Sequence, residues 1–184
     1  MSVWNLPVTV EVAGRPFAIR SDYRAVLDAL AALNDASLST QEQCAACLGI
    51  LFPAWPDLPD YDAAFRAAMQ WINLGKPVPE KQSPPVRLMD WEKDASIIAP
   101  AVDKVLGYSC RQCEYLHWWE FVGAFYGIGD GLFAQVVRIR SKRAKGKSLD
   151  KAEQAFAREN ADLIALPQAS LTSEEEEFFK RLGV

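Results

Sequence analysis

The sequence predicts a mainly α fold: a compact helical domain of about seven helices with a small N-terminal β-hairpin. Three observations predict it. Apolar residues recur at three- and four-residue spacing through most of the chain. Ser, Thr or Asp stands ahead of most of these runs, where it can cap a helix. Period-two alternation, the mark of a half-buried strand, is confined to Pro7–Arg20. The 184 residues, half of them hydrophobic, suit one core-forming domain and not a disordered chain. Residues 1–167 are expected to form that single helical domain, with a possible linker at 76–87, and 168–184 a short acidic C-terminal helix or tail.

In the hairpin, Val8, Val10 and Val12 share one face. Phe17 and Ile19 continue the pattern after a turn at Ala13-Gly14-Arg15-Pro16. Ser21 or Asp22 caps the first helix, whose stripe is Tyr23, Val26, Leu27, Leu30 and Leu33. A second helix runs from Ser39 or Thr40 to Phe52, with Thr40-x-x-Gln43 as a capping box. Pro53, Pro56 and Pro59 end it. Asp60 or Asp62 opens a third, with Phe65, Met69 and Ile72 inward and Gly75 as its stop. Lys76–Arg87 has four prolines in twelve residues and reads as a surface loop or linker.

Asp90 is expected to cap the fourth helix, with Glu92 in its first turn. Trp91, Ile97, Ile98, Val102, Val105 and Leu106 form its apolar side, and Gly107 closes it. The stretch Glu114–Gly131, EYLHWWEFVGAFYGIGDG, follows and is apolar almost all round, which implies burial in a core. Its apolar run is too short for a bilayer, which needs roughly 20 residues. Leu132–Arg143 is the next helix. One more runs from Ser148 or Asp150 to Ile164, and Thr172–Leu182 is the last, with acidic residues at its start and basic ones at its end.

Chemistry-bearing motifs are sparse. The net charge of −4 argues against generic nucleic-acid binding, and MSVWNLPVTVEV lacks the pattern of a signal peptide. A soluble, cytoplasmic protein with reduced thiols is expected, with no cofactor and no membrane or nucleic-acid partner. Cys44-x-x-Cys47 and Cys110-x-x-Cys113 carry the right atoms for a zinc ion, with His117 as a substitute ligand. The 62-residue gap between the pairs and the apolar setting of Cys44 and Cys47 favour buried thiols. His117 has no nucleophile motif beside it, and is read as a core histidine bonded to a carboxylate such as Glu120 or one of Asp90–Asp94. No enzymatic activity is expected. Arg138–Lys151 holds seven basic residues in fourteen. Arg138, Arg140, Lys142, Arg143, Lys145 and Lys147 are therefore the candidate partner-binding residues, with Glu174–Glu177 able to neutralise them within or between molecules.

Four motifs stand in order along the chain. They are Asp22-Tyr23-Arg24 after the hairpin, Trp91-Glu92-Lys93-Asp94, Leu116-His117-Trp118-Trp119-Glu120-Phe121, and Ile139-Arg140. Together they resemble the bacteriophage "gene product fifteen" family of long-tailed phages and prophages. Trp91, Asp94, His117, Trp118, Trp119 and Phe121 are then a structural signature, and the cysteines lie outside the pattern. The resemblance implies a tail morphogenesis factor in the bacterial host's cytoplasm. Such a factor would be a tail assembly chaperone that binds the tape-measure protein and helps recruit tail-tube subunits, with possible self-association. The alternatives are a structural tail completion or connector protein and a zinc-stabilised regulatory protein.

Overall fold

The computed structural model describes residues 4–55, 57–77 and 86–166. The chain is mainly α, with eight helices and one two-stranded antiparallel sheet among these residues. They gather into two compact units: the first holds residues 4–77 and 114–122, the second 86–113 and 123–166. The expected helix Thr172–Leu182 and most of the linker at 76–87 lie outside the described residues.

The first unit begins with β1 (Thr9–Val12) and β2 (Arg15–Ala18), paired so that Val10 faces Phe17 and Val12 faces Arg15. The turn between them is only two residues, Ala13 and Gly14, with φ of 49° and 77°. Two left-handed residues are what a type I′ turn requires to match the strand twist. Val10 and Val12 are buried, whereas Val8 is exposed.

Asp22 caps α1 (Tyr23–Leu33) by accepting from the Arg24 N–H. In α2 (Thr40–Leu51) the capping box is made by Ser39 and Glu42, not by Thr40 and Gln43. Gln43 is buried instead and donates from its amide to the Asp35 carbonyl at 2.9 Å. The far end of α2 is closed by Arg20. Its N–H donates to Leu51 O at 2.8 Å, and its guanidinium donates to the carbonyls of Gly49 and Ile50. A cation there satisfies orphan carbonyls and suits the helix dipole.

α3 (Tyr61–Ile72), capped by Asp60, turns Ala64, Ala68 and Trp71 fully inward and leaves Phe65, Met69 and Ile72 half-buried. The expected face is therefore displaced by one position. The reason is Trp71, whose indole N–H donates to the Pro7 carbonyl at 2.9 Å and so sets the helix's rotation.

In the second unit, Asp90 heads a turn and not a helix. Its carboxylate accepts from the N–H groups of Glu92 and Lys93. α4 (Ala95–Leu106) starts later, with Asp94 at its N-cap and Gly107, at φ 79°, closing it. Trp91 and Glu92 thus lie outside the helix assigned to them, and Val105 is 44% exposed.

The aromatic stretch is helical only as α5 (Trp118–Tyr126), within which the boundary between the units falls. His117 precedes it in extended backbone. Burial is also incomplete: Tyr126 is 73% exposed. In the second unit Phe125 packs between Trp91, at 4.9 Å between ring centroids, and Phe133, at 5.5 Å.

α6 (Leu132–Ala144) buries Phe133, Val136, Ile139 and Arg140. The helix expected to run to Ile164 is two helices, α7 (Lys151–Glu159) and α8 (Ala161–Ile164), broken at Asn160. The Asn160 side chain bonds back to Phe156 O at 3.0 Å, ending one helix where the next begins.

Candidate functional site

The signature residues fall into two clusters, one in each unit. In the first unit, residues 21–23 and 116–118 meet as an isolated antiparallel bridge between Asp22 and His117. Tyr23 N–H donates to Leu116 O at 2.9 Å, and Trp118 N–H to Ser21 O at 2.8 Å. The second carboxylate oxygen of Asp22 takes the Leu116 N–H at 3.1 Å, while the first caps α1. One aspartate therefore starts a helix and clamps a segment more than ninety residues away in sequence.

His117 is 1% exposed and has no carboxylate partner among the described residues. Its Nε2 lies 3.1 Å from the Pro7 carbonyl, which can only accept, so Nε2 carries the proton. Nδ1 then accepts the Trp119 N–H at 3.0 Å. Both ring nitrogens are used within the fold, which gives the ring a positioning role. The expectation of Glu120 or Asp90–Asp94 as partner fails because Pro7 already satisfies the ring. Pro7 O thus accepts from both His117 and Trp71.

The two tryptophans complete the cluster by capping α3. Trp118 Nε1 donates to Ile72 O at 2.8 Å, and Trp119 Nε1 to Trp71 O at 2.9 Å. These are carbonyls of the helix's last turn. Gly75 has φ of 77°, the left-handed region that favours glycine, and the Trp119 ring packs beside it. Phe121 stacks on Tyr23, with centroids 4.4 Å apart.

The second cluster corrects the reading of Arg140. It is 5% exposed and so is not part of the open basic surface. Its guanidinium meets Asp94 in a bidentate pair, at 2.6 Å and 2.9 Å. The remaining N–H groups donate to the carbonyls of Leu88 and Ile164 at 3.1 Å and of Leu163 at 2.5 Å. All five donors are satisfied, and Asp94 also accepts the Asp90 N–H at 3.0 Å. This pair ties α4, α6 and α8 together.

The other basic candidates divide. Lys142 reaches both oxygens of Glu153 at 2.6 Å, and Arg138 lies 3.9 Å from the same carboxylate. Arg143, Lys145 and Lys147 are exposed and join no ion pair among the described residues. They form the open end of the basic run, at the last turn of α6 and just beyond it.

Sequence reasoning missed Glu153, which also closes the capping box of α7 with Asp150. The Asp150-x-x-Glu153 spacing was the available signal. The Lys142 ammonium, followed by the Asp150 N–H, holds the Glu153 carboxyl below its ordinary range. A carboxyl depressed in the fold stabilises it above the ordinary carboxylate range, and that contribution is lost as pH falls through the depressed value. Glu153→Gln keeps an acceptor for Asp150 but removes the charge. It should lower Tm near pH 7, and the gap to the parent should narrow as pH falls below the ordinary carboxylate range. A gap that stays constant with pH would refute this account.

The cysteines do not assemble. Cys44 and Cys47 are on α2 in the first unit, Cys110 and Cys113 in the second. Burial, followed by the neighbouring Cys44, pushes the Cys47 thiol up to about 12. Burial and then the charge of Asp62 raise Cys44. Cys113 Sγ donates to Cys110 O at 3.0 Å. Among the described residues no group of three or more His, Cys, Asp and Glu side chains is placed to hold a metal ion. Nor is any helix among them long and apolar enough to cross a membrane. The second unit also carries a shallow cleft of about 470 Å³ between the outer side of α4 and the Gly127–Gly131 turn, lined by Ile97, Pro100, Val105, Ile128 and Leu132 among others.

Comparison with curated proteins and with solved structures finds no match. The profile of one family, described as Bacteriophage Gp15 protein, matches residues 4–166. That span contains the Asp22 clamp, the His117–Trp119 cap and the Asp94–Arg140 pair, so the chain belongs to the Bacteriophage Gp15 protein family.

Proposed function

We propose that this bacteriophage protein is a non-enzymatic tail morphogenesis factor. It acts in the host cytoplasm as an assembly chaperone that binds the tape-measure protein and helps recruit tail-tube subunits. The observation that carries the reading is the family match over residues 4–166. The site geometry supports it: the polar groups that invite a catalytic reading, His117 and Asp94, are spent on holding the fold. What faces solvent is the cationic end of α6, a surface suited to an acidic stretch of a protein partner. A helical client also needs apolar contact, and the cleft beside Val105 and Leu132 offers it.

Co-expression with a fragment of the tape-measure protein of the same phage tests this. The fragment's soluble fraction should rise with the parent chain and fall back with R143E/K145E/K147E, whose exposed substitutions leave the helical circular-dichroism signal unchanged. A fragment that stays insoluble beside the parent chain overturns the reading. So does recovery of the chain in stoichiometric amount from purified virions, which identifies a structural tail component instead.

A further inference from the structure

We propose that Cys110 and Cys113 form a reversible disulfide, a two-thiol switch that locks the turn following α4. The pair lies wholly within the second unit, and the proposal does not depend on the client reading above.

Three observations place the two sulfurs for this. First, both residues are thiols on one short turn just beyond α4. The N–H groups of Gln112 and Cys113 donate to the Ser109 carbonyl, at 3.2 Å and 3.3 Å, which winds residues 109–113 as a single helical turn. In that geometry residues three apart have Cα atoms about 5 Å apart. A disulfide spans roughly 4.4–6.8 Å between Cα atoms, so the backbone already fits. Second, the Cys113 side chain is turned back towards Cys110, with Sγ donating to the Cys110 carbonyl at 3.0 Å. Third, the turn is pinned to α4 at two points. The Cys110 N–H donates to the Asp103 carboxylate at 2.7 Å, and the Arg111 guanidinium to the Ala95 carbonyl at 2.8 Å. A pair held in this way has little freedom left to lose when it bridges.

Exposure sets the order of attack. Cys110 is 1% exposed and Cys113 is half-buried, so a co-reactant meets Cys113 first. The Cys113 thiolate attacks one sulfur of a small-molecule disulfide such as glutathione disulfide. A mixed disulfide forms, the co-reactant's S–S bond breaks and one thiolate leaves. The Cys110 thiolate then attacks Cys113 Sγ, which closes the bridge and releases the second thiolate. The two protons of the protein thiols end on the two released thiols. The pair is thereby oxidised by two electrons and the co-reactant reduced by two. A dithiol reductant reverses both steps, so a reducing compartment keeps the switch open.

Cys44-x-x-Cys47 has the same spacing and provides the contrast. It lies inside α2, whose hydrogen-bond ladder continues on both sides of it, and Cys47 is wholly buried. The fold thus favours one of two pairs that the sequence makes equivalent.

Treatment of the folded full chain with excess glutathione disulfide, followed by acid quenching, alkylation and peptide mapping, tests the proposal. Trypsin cuts after Arg111, between the two cysteines, so the bridge leaves two peptides joined. The expected result is that joined pair, severalfold more abundant than a bridge at Cys44–Cys47, with the preference lost in denaturant. Cys110 and Cys113 that stay fully alkylatable in the folded chain overturn the proposal, and so does equal bridging of both pairs. The product should revert under dithiothreitol; one that persists is no switch and also overturns it. Amide exchange gives a second readout. The N–H groups of Gln112 and Cys113 should exchange severalfold more slowly in the bridged chain and recover the parent rate on reduction. Unchanged or faster exchange overturns the lock. The order of attack is read from single variants: C110S should retain glutathione on Cys113, and C113S should retain none on Cys110. The reverse pattern overturns that order.

Discussion

Replacing Arg140 by methionine should destabilise the unit that contains it by about 3–5 kcal/mol, the usual cost of removing one member of a buried ion pair. The pair is nearly solvent-free, with side chains 4% and 1% exposed, so little water is present to compensate Asp94 once its partner is gone. The loss goes beyond the pair. Methionine also abandons the carbonyls of Leu163 and Ile164 in α8 and, from a distant segment, that of Leu88. Lysine should not rescue, because a single ammonium cannot present five donors in a planar fork. Asp94→Leu in the same chain should recover only part of the loss, since the three carbonyls and the Asp90 N–H stay unmet. Denaturant unfolding measures the total, and amide exchange should accelerate in α4, α6 and α8. A loss below about 1 kcal/mol, the range of solvent-screened pairs, would contradict this account.

Arg140 also shows where a sequence can be misread. A dense basic run normally faces solvent, which groups Arg140 with its charged neighbours. Yet Phe133, Val136 and Arg140 stand at i, i+3 and i+7, on the stripe that the helix buries. Periodicity places the residue inside, while its charge argues for the surface. Asp94, its counter-charge, lies 46 residues away, and no local pattern announces such a partner.

The legible features are those decided within a few residues. The hairpin turn at Ala13-Gly14, the aspartate caps at Asp22, Asp60 and Asp150 and the left-handed Gly107 all follow from local backbone chemistry. Errors of one position arise where two local solutions compete. Ser39-x-x-Glu42 and Thr40-x-x-Gln43 both suit a capping box, and the choice falls to Ser39 because Gln43 is needed by the Asp35 carbonyl. His117 failed differently. Its acceptor is the backbone of Pro7, 110 residues distant, and a backbone carbonyl has no sequence signature at all.

Trp118→Ala should cost about 3–5 kcal/mol, as a large aromatic removed from a packed interior does. The indole is 3% exposed, stacks against Phe121 and donates to Ile72 O, so truncation leaves both a cavity and an unpaired helix-end carbonyl. Trp118→Phe separates the two effects. It keeps most of the ring volume and loses only the N–H, so about 1–2 kcal/mol should be lost. The location of the damage is the sharper test. If Trp118 and Trp119 cap α3 as their indoles indicate, exchange should rise first at the last turn of α3, near Trp71 and Ile72. Protection there that matches the parent would mean the motif packs without capping. The aromatic stretch then stands as a joint in the first unit: it closes one helix, holds Pro7 through His117, and through Asp22 fixes the start of another. Both nitrogens of the only histidine in the chain are spent on that joint.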